Sequence, residues 1–377
     1  MTLKGQNVAV FSWEGGKVRL EGQGVEDMAY TSSETPMPTY LNLHDALEAR
    51  RRRAFAEGTA GPRVAVVGPV DAGKSTLCRI LGSWAASSAW QPALVDLDVG
   101  QGAVTVPGTV SAVVLEAPVG PEEGLPVEAP LVYFFGAETP SDNPDLYRLC
   151  VERLAATLAT RGDGDPRANA AGYVVNTMGW VEGLGYELLL HSIEKLGVDV
   201  VCVAGQDRLH VQLQRHFGAR GGGVEVVQVP VSGGVVRRDA ERRKGARVRR
   251  IHEYFYGPSG DLFPESRTVP LDSVEVYQVG NSTAALPQSA LPIGAKAVSD
   301  PTKVSRATPF DLRNRVLAVT HAKDEGGVLE SNVAGFVYVQ DVVVQDGTPQ
   351  GLTLLCPRPG PLPGKVLLAG RYKRFLD

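Results

Sequence analysis

The stretch GPVDAGKST, residues 68–76, has the residue types and spacing of a loop that binds phosphate groups. Gly68, Gly73, Lys74 and Ser75 match the pattern G-x-x-x-x-G-K-[ST], and the loop lies between the apolar run RVAVV and the helix-like run TLCRILGSWAA. Glycines allow successive backbone N–H groups to turn toward a phosphate, and the following helix adds its positive N-terminal end. Lys74 can then reach the outer phosphates of a nucleotide, and the Ser75 hydroxyl can ligate Mg²⁺.

A glycine-rich turn without chemical function is the alternative interpretation of this loop. The strand-like and helix-like runs on either side argue against it, because they supply the context in which such a loop binds phosphate. The sequence therefore predicts a nucleoside triphosphate site with magnesium. The predicted nucleotide-binding residues are Gly68, Asp71, Ala72, Gly73, Lys74, Ser75 and Thr76.

An acidic side chain ends the next apolar run, PALVDLD. Asp98 ends the second strand-like run, where an acid can contact the metal of the nucleotide or a substrate hydroxyl. The following turn, VGQG, places Gln101 near the same end of the strands, the rim of the predicted site. Asp96 competes with Asp98, because residues two apart on a strand share one face and only their depth distinguishes them. A helix cap or turn residue is the alternative interpretation of Asp98.

A basic segment, VVRRDAERRKGARVRRIHEYF, begins at residue 235. A solvated helix face is the ordinary interpretation of such a charge run, and a role in phosphate transfer is the alternative. A second basic stretch, Arg50 to Arg53, lies in the helix-like run LHDALEARRRRAFAEG, where we expect a solvated helix face more than contacts with RNA phosphates. The cations of the first segment are Arg237, Arg238, Arg242, Arg243, Lys244, Arg247, Arg249 and Arg250.

The elements that must position these residues follow a strand and helix alternation from about residue 61. The apolar runs are typical of strands buried on both faces, and helix-like runs lie between them, notably DLYRLCVERLAATLATR and DRLHVQLQRHF. This pattern predicts an α/β fold with a doubly wound parallel sheet and a ligand site at the carboxyl ends of its strands. The strand-like runs are RVAVVG, ALVDLD, PLVYFFG, GYVVNTMG, VDVVCVAG and VEVVQV.

Short alternating runs on both sides of this region predict two smaller β domains. We expect an N-terminal β domain over residues 1–45, with strands in NVAVFSW, KVRLEG and DMAYTSS. A domain with the phosphate loop then covers residues 46–258, including the segment near 232–252, and a C-terminal β domain covers residues 259–377.

Composition excludes several classes of protein. A hydrophobic content of 43% with 21% charged residues is ordinary for a soluble globular chain of 377 residues. No apolar stretch approaches the roughly 18 residues that span a bilayer, so no membrane partner is expected. The net charge of −4 argues against coating of nucleic acid by bulk electrostatics, and the scattered cysteines predict buried thiols in a reducing compartment.

The motifs of two large nucleotide-binding classes are absent. The chain has no N-K-x-D motif, which guanine-specific GTPases carry, and VSGGV at 231–235 lacks the glutamine of the transport-ATPase motif L-S-G-G-Q. Two functions remain from the residues alone. One is phosphoryl transfer to a bound acceptor, and the other is nucleotide binding as a structural latch.

Several motifs, in this order and spacing, resemble those of the eukaryotic polyribonucleotide 5′-hydroxyl-kinases that also serve in the pre-mRNA cleavage complex. The resemblance extends from about residue 7 to the C-terminus. It implies that the chain transfers the γ-phosphoryl group of ATP, with Mg²⁺, to the 5′-hydroxyl of RNA ends. The motifs are GPVDAGKST, DLDVGQG, PLVYFFGAETPSDNPDLY, NTMGW, SGGVVRR and IHEYFYG.

The resemblance also implies a role for individual residues. Lys74, Ser75 and Thr76 would hold the phosphates, with Ser75 on the metal. Asp98 would orient or deprotonate the 5′-hydroxyl and reach the metal through water. On the acceptor side, Thr139 and Gln101 would contact the RNA end, and Trp180 would stack on its terminal base. A lid after SGGVV would bring Arg238 and Arg243 to the transferring phosphate, whereas Arg247 and Arg250 would meet RNA backbone or solvent.

Family members begin with a longer N-terminal segment that contacts the adenine base, so we expect the N-terminal domain to be truncated and predict no adenine-contacting residue. The resemblance implies a nuclear protein with RNA 5′-hydroxyl ends, cleavage-complex subunits and the tRNA-splicing endonuclease as partners. Two alternatives stay open. One is a catalytically silent, ATP-bound scaffold of the cleavage complex, and the other is a DNA 5′-end repair kinase.

Overall fold

Two seven-stranded sheets organise the chain in the computed structural model. It describes residues 10–12, 14–19, 21, 31–32, 34–120, 124–125, 129–219, 221, 223–280 and 301–376. The helices are α1 (Met37–Glu57), α2 (Lys74–Ser87), α3 (Pro144–Arg161), α4 (Pro166–Ala171), α5 (Leu184–Lys195), α6 (Asp207–Ala219) and α7 (Ala240–Tyr256). The central sheet contains β1 (Arg63–Val67), β2 (Ala93–Asp96), β3 (Thr109–Val114), β4 (Leu131–Phe134), β5 (Tyr173–Asn176), β6 (Val200–Ala204) and β7 (Glu225–Val229). The second sheet contains β8 (Glu265–Pro270), β9 (Glu275–Val279), β10 (Val304–Arg306), β11 (Arg315–Thr320), β12 (Val333–Gln345), β13 (Thr348–Cys356) and β14 (Val366–Lys373).

The central sheet has the order β4-β3-β2-β5-β1-β6-β7. Strand β1 pairs in parallel with β5 and β6, so the phosphate loop that follows it leaves the middle of the sheet. Each strand predicted from an apolar run is present. Strand β3 was not predicted, and it runs antiparallel to both β2 and β4. The parallel sheet of the prediction therefore carries one antiparallel strand near its edge.

Helices cover both faces of this sheet, as a doubly wound fold requires. Along β1, Val64 and Val66 belong to the core beneath α1 and α2, whereas Ala65 and Val67 belong to the core on the opposite face. This alternation explains why β1 is apolar at every position, because both of its faces are buried. The opposite core receives its helical side chains from α3, α5, α6 and α7, including Leu146, Leu154, Leu188, Leu213, Ile251 and Phe255.

The N-terminal region differs from the prediction. Helix α1 begins at Met37, directly after Pro36, and ends at Glu57, so residues 37–45 are helical. Residues 10–12, 14–19 and 31–32 of the predicted N-terminal strands are not in strands. The rest of those predicted strands lies outside the described residues. The domain boundaries themselves stay a prediction.

The second sheet has the order β10-β9-β14-β11-β12-β13-β8 and is antiparallel except for the pair β9 and β14. Leu317 and Leu367 on one face form a separate core with Leu312, which lies in the short helix Pro309–Leu312. Val316 and Leu368 on the other face join the core of the central sheet. The predicted C-terminal β region is therefore present, and it packs directly on the α/β unit.

The four cysteines are free and buried, as the sequence predicted. Burial raises the pKa of the Cys202 thiol to about 12, so it stays protonated and unreactive at neutral pH. Among the helices that the structure describes, none is both long and apolar enough to cross a membrane.

The ring of Phe336 joins the two sheets. It is 2% exposed and packs edge-on against Phe134 of β4 and Tyr254 of α7, with ring centroids 5.6 and 5.5 Å away. The Phe336 N–H also donates a hydrogen bond of 3.0 Å to the Tyr254 hydroxyl. The central sheet, α7 and the second sheet therefore share one packed aromatic cluster.

Phe336→Ala should lower the free energy of unfolding by about 3–5 kcal/mol, because truncation of a buried aromatic ring leaves a cavity. The measurement is the urea midpoint and slope of the full chain, followed by tryptophan fluorescence. Phe310→Ala is the control, since the side chain of Phe310 is 54% exposed. An F336A midpoint equal to that of F310A would contradict the assignment of Phe336 to a shared core.

Candidate active site

The phosphate loop depends on backbone conformations that few side chains tolerate. Gly68 has φ 151° and Gly73 has φ 79°, and Asp71 also lies in the left-handed region with φ 56°. A Cβ at Gly68 would collide with the carbonyl oxygen of Ala204 at the end of β6. The glycine at position 68 is therefore required by both its backbone angle and its close approach to β6.

Helix α2 begins at Lys74, immediately after this loop, and no described side chain caps its N-terminus. Its first-turn N–H groups and its dipole therefore favour an anion at this point. The Lys74 ammonium is 7% exposed and donates a hydrogen bond of 2.7 Å to the Pro69 carbonyl. Burial lowers the pKa of Lys74, while the nearby Asp98 carboxylate raises it.

A chain of hydrogen bonds ties the start of α2 to the neighbouring strands. The Ser75 hydroxyl donates to Asn176 Oδ1 at 3.2 Å, and Asn176 Nδ2 donates to Asp96 Oδ1 at 2.9 Å. Asn176 was not singled out from the sequence, although a polar residue at the end of the apolar run GYVVN was a usable signal. It orients the exposed Ser75 hydroxyl toward the end of β2.

The structure distinguishes the two acids at the end of β2. Asp96 is 2% exposed and accepts hydrogen bonds from the Ala103 and Asp98 N–H groups, in addition to Asn176. Burial and the Asp98 charge raise the pKa of Asp96 to about 6. Asp98 is half-buried beyond the strand and accepts from the Gly100 N–H at 3.0 Å. Asp96 therefore supports the turn, and Asp98 is the acid at the rim.

Asp98 and Lys74 form the charged centre of the site. Burial raises the pKa of Asp98, and the Lys74 charge acts in the opposite direction. The Lys74 ammonium favours the ionised form of this carboxylate, which is the form that a proton acceptor requires, whereas burial, the larger influence, opposes it. The described residues contain no cluster of three or more His, Cys, Asp or Glu side chains that could hold a metal ion. A magnesium ion here would need phosphate oxygens and water as further ligands, as in other phosphate-loop sites.

Two further segments approach the same rim. A Cβ at Gly100 would lie 3.0 Å from the Glu138 carbonyl, so the turn after Asp98 packs against the segment that carries Thr139. Thr139 is exposed, and its hydroxyl shares a hydrogen bond of 2.9 Å with that of Ser141. Gln101 is half-buried in the turn, and its N–H donates to the Asp98 carbonyl at 3.2 Å.

The segment that carries Trp180 also contacts the phosphate loop. A Cβ at Gly179 would stand 2.7 Å from the Val70 nitrogen, so the segment NTMGW touches the loop directly. The Trp180 ring is half-buried and packs against the main core, and a Cβ at Gly185 would collide with it. The indole is therefore held against the start of α5 with part of its surface accessible.

The basic segment contacts the phosphate loop through Asp71. The Arg238 N–H donates to Asp71 Oδ2 at 3.0 Å, and Arg243 Nη2 donates to the same oxygen at 2.8 Å. Burial alone raises the pKa of Asp71, but these hydrogen bonds and charges outweigh it and lower the pKa overall. Asp239 caps α7 by accepting from the Arg242 N–H, so Arg238 lies before the helix and Arg243 in its first turn. This break lets two residues five positions apart reach one carboxylate.

Two other cations of the lid differ from the expectation that they meet RNA or solvent. Arg247 forms an ion pair of 3.0 Å with Glu138. Arg250 donates to the carbonyl groups of Ala103, Val104 and Thr105. Arg250 therefore holds α7 against the turn after β2, and Arg247 holds it against the segment that carries Glu138. In α1, Arg50 pairs with Glu225, Arg52 pairs with Glu48, and Arg51 is buried.

Family models match this chain over most of its length. The model described as mRNA cleavage and polyadenylation factor CLP1 P-loop matches residues 68–257. The model described as pre-mRNA cleavage complex II protein Clp1 matches residues 262–377, and the N-terminal beta-sandwich domain of polyadenylation factor matches residues 1–54. The chain belongs to the Clp1 family.

Relatives and solved structures agree with this assignment. The chain is 45% identical to a protein CLP1 homolog of Arabidopsis thaliana, over 96% of this chain and 82% of the relative. It is 43% identical to the polyribonucleotide 5′-hydroxyl-kinase Clp1 of Homo sapiens, over 99% of this chain and 86% of the relative. A solved Clp1p–Pcf11p complex aligns with a TM-score of 0.74 and 28% identity, covering 89% of this chain and 79% of that chain. The resemblance inferred from the motifs is thereby confirmed.

In this Clp1-family chain, Asp71→Asn should release the start of the lid. The Asp71 side chain is 7% exposed and pairs with arginines that are 43% and 28% exposed, so solvent screens part of the attraction. We expect amide hydrogen exchange over residues 236–243 to become about tenfold faster, in line with the loss of charge-assisted hydrogen bonds. Glu241→Gln, which removes an exposed carboxylate from the same segment, is the matched control. Equal exchange in both variants would show that Asp71 does not hold the lid.

Proposed function

We propose that this Clp1-family chain is an ATP-dependent RNA 5′-hydroxyl-kinase and a component of the pre-mRNA 3′-end cleavage machinery. The observation that carries the proposal is the convergence of Lys74, Asp98 and the lid arginines around one phosphate loop. A relative 43% identical over nearly the whole chain is named a polyribonucleotide 5′-hydroxyl-kinase. The proposed domain division remains 1–45, 46–258 with a lid near 232–252, and 259–377.

The nucleotide would be held by the loop and the start of α2. The uncapped N–H groups of the first turn suit the negative charge of phosphate oxygens, and Gly68, Asp71, Ala72, Gly73 and Thr76 shape the loop around them. The exposed Ser75 hydroxyl is aimed by Asn176, which fits a ligand of Mg²⁺, and Asp98 would reach the ion through water. When bound, Mg²⁺ neutralises charge on the phosphate oxygens during transfer.

Transfer would depend on charges that the chain already places at the rim. Asp98 would accept the proton of the attacking 5′-hydroxyl, since the Lys74 charge favours its ionised form. Arg238 and Arg243 would leave Asp71 and donate hydrogen bonds to the transferring phosphoryl group. A cation at that position supplies about 10³–10⁵ in rate in related phosphoryl transfers.

The RNA end would lie against the two segments that reach this site. Gln101 and the segment with Thr139 lie near Asp98, and Trp180 lies in the segment that touches Val70. Stacking of a terminal base on the indole is tolerant of sequence, which suits an enzyme that accepts many RNA ends. We also propose nuclear residence, a role in tRNA splicing with the tRNA-splicing endonuclease as partner, and contact with other cleavage-complex subunits.

A catalytically silent scaffold is the second candidate function. It is favoured by the solved relatives, which are described in complex with Pcf11p. In that case ATP would stabilise a partner surface without being consumed. Kinase activity and the scaffold role are compatible, so the test below separates an active scaffold from a silent one.

The deciding experiment is transfer of labelled γ-phosphate from ATP to a short 5′-hydroxyl RNA, beside a DNA of the same sequence. Lys74→Ala should lower the rate at least about 100-fold, the scale seen when one donor to developing charge is removed. Arg243→Ala should lower it about 10³-fold while ATP still binds. Lys195→Ala and Arg249→Ala are the matched controls, because Lys195 pairs with Glu152 away from the loop and Arg249 is exposed on α7.

The result that overturns the kinase is an absence of label on both RNA and DNA with ATP bound at the loop, and it would leave the silent scaffold. Label on DNA at the RNA rate would favour the end-repair kinase instead. Wild-type rates in K74A would exclude the phosphate loop as the site of transfer.

Trp180→Ala should weaken the binding of the RNA acceptor and leave the binding of ATP unchanged. Loss of one base stack is worth about 1–3 kcal/mol, so the KM for 5′-hydroxyl RNA should rise roughly 5- to 150-fold with little change in the KM for ATP. Trp84→Ala in α2 is a control for the loss of an indole, since Trp84 contacts His44 in another part of the fold. An unchanged KM for RNA in W180A would assign the indole to packing only.

A further inference from the structure

Glu138 lies between two cations that come from different parts of the chain. Its Oε2 atom is 3.0 Å from Nε of Arg247 in α7, and its Oε1 atom contacts Nη2 of Arg374, just beyond β14. The three side chains are only 21%, 19% and 18% exposed. Such a pairing is less screened than a surface ion pair, and removal of the shared acid would leave two cations facing each other.

The end of β14 also forms hydrogen bonds with the segment that contains Glu138. The Arg371 N–H donates to the Gly136 carbonyl at 2.6 Å, and Arg371 Nη1 donates to the Asp142 carbonyl at 3.0 Å. Tyr372 donates its hydroxyl proton to the Pro107 carbonyl at 2.7 Å. Residues 136–142, which include Thr139, are therefore fastened at both ends by the last strand of the second sheet.

The same acid connects this segment to the turn after Asp98 and to the lid. The Glu138 carbonyl packs against Gly100, while Arg250 anchors α7 to the carbonyls of residues 103–105. Glu138 is thus the residue at which the acceptor-side segment, the lid helix and the C-terminal strand meet. None of its contacts involves the phosphate loop itself.

We propose that Glu138 is a positioning residue, which locks the Thr139 segment to the lid helix and to the C-terminal strand so that the RNA end is aligned when the lid is in place. The inference rests on the proposed kinase function, which it extends from the nucleotide to the acceptor. It makes the C-terminal strand of the second sheet part of the acceptor site, since Arg374 is one of the two cations that pair with Glu138. Loss of the acid should therefore impair use of RNA and spare the binding of ATP.

The test compares Glu138→Gln, Arg247→Gln and the double variant in the full chain. E138Q should lower kcat/KM for 5′-hydroxyl RNA about 10- to 100-fold, because a misplacement of about 1 Å at a reacting centre costs up to that much. The Kd for ATP, measured without RNA, should stay within about twofold. R247Q should show a smaller loss of the same kind, and the double variant should be no worse than E138Q, because the pair acts as one unit.

Glu330→Gln is the matched control. Glu330 also pairs with an arginine across the boundary between the α/β unit and the second sheet, namely Arg153 of α3 at 2.5 Å. It undergoes the same change of charge and should keep wild-type kcat/KM. A loss of kcat/KM in E330Q equal to that in E138Q would show that the effect comes from a general loosening of the contact between the two sheets.

Amide hydrogen exchange gives a readout that does not require activity. In E138Q, exchange should rise in both residues 136–142 and α7, and E330Q should leave both at the wild-type level. A wild-type protein that transfers no phosphate would refute the kinase, yet the exchange pattern would still decide whether Glu138 couples the two segments. Wild-type exchange in E138Q, or strictly additive losses in the double variant, would overturn the proposal.

Discussion

The hydrogen-bonded chain from Ser75 through Asn176 to Asp96 is the constraint on which the site depends. It joins the start of α2 to the ends of β5 and β2, which are neighbours in the sheet. Because the carboxyl ends of parallel strands meet at one edge, three residues far apart in sequence become one rigid unit. The positions of the phosphate loop, of Asp98 at the rim and of the Ser75 hydroxyl all depend on it.

Around this unit, acids and cations neutralise each other in pairs and triplets. Lys74 faces Asp98, and Asp71 holds Arg238 and Arg243. Buried charges without partners would be costly, and the chain pairs these cations with its own carboxylates. A phosphoryl group offers the same arginines a stronger set of acceptors, which gives the lid two competing anions to bind. The ion pairs of the structure and the proposed transfer thus use the same charges.

Local patterns predicted the parts of this arrangement that are local in sequence. The loop and Asp98 were singled out because each belongs to a short motif with a chemical meaning, and the apolar runs predicted the strands around them. The two lid arginines were singled out by the resemblance to the 5′-hydroxyl-kinases. Asn176 and Glu138 were missed because the residues that they contact lie far away in the sequence. The sequence alone does not show that these residues are close in space. Strand β3 was missed for a related reason, since its pairing with β2 follows a loop whose length predicts no direction.

The lid shows how tertiary context changes the meaning of a charge run. Read alone, the cations of residues 237–250 indicate a solvated helix face or a role in phosphate transfer. In the fold, Arg238, Arg243, Arg247 and Arg250 are engaged with Asp71, Glu138 and backbone carbonyls.

Arg237, Arg242, Lys244 and Arg249 are exposed on this segment, in a chain of net charge −4. Four of the eight cations of the segment are thus engaged within the fold. If the proposed transfer to RNA ends takes place at this site, we expect recognition to depend more on stacking and contacts at the terminal nucleotide than on contacts of this segment with the phosphates that follow. Base stacking of this kind tolerates any sequence.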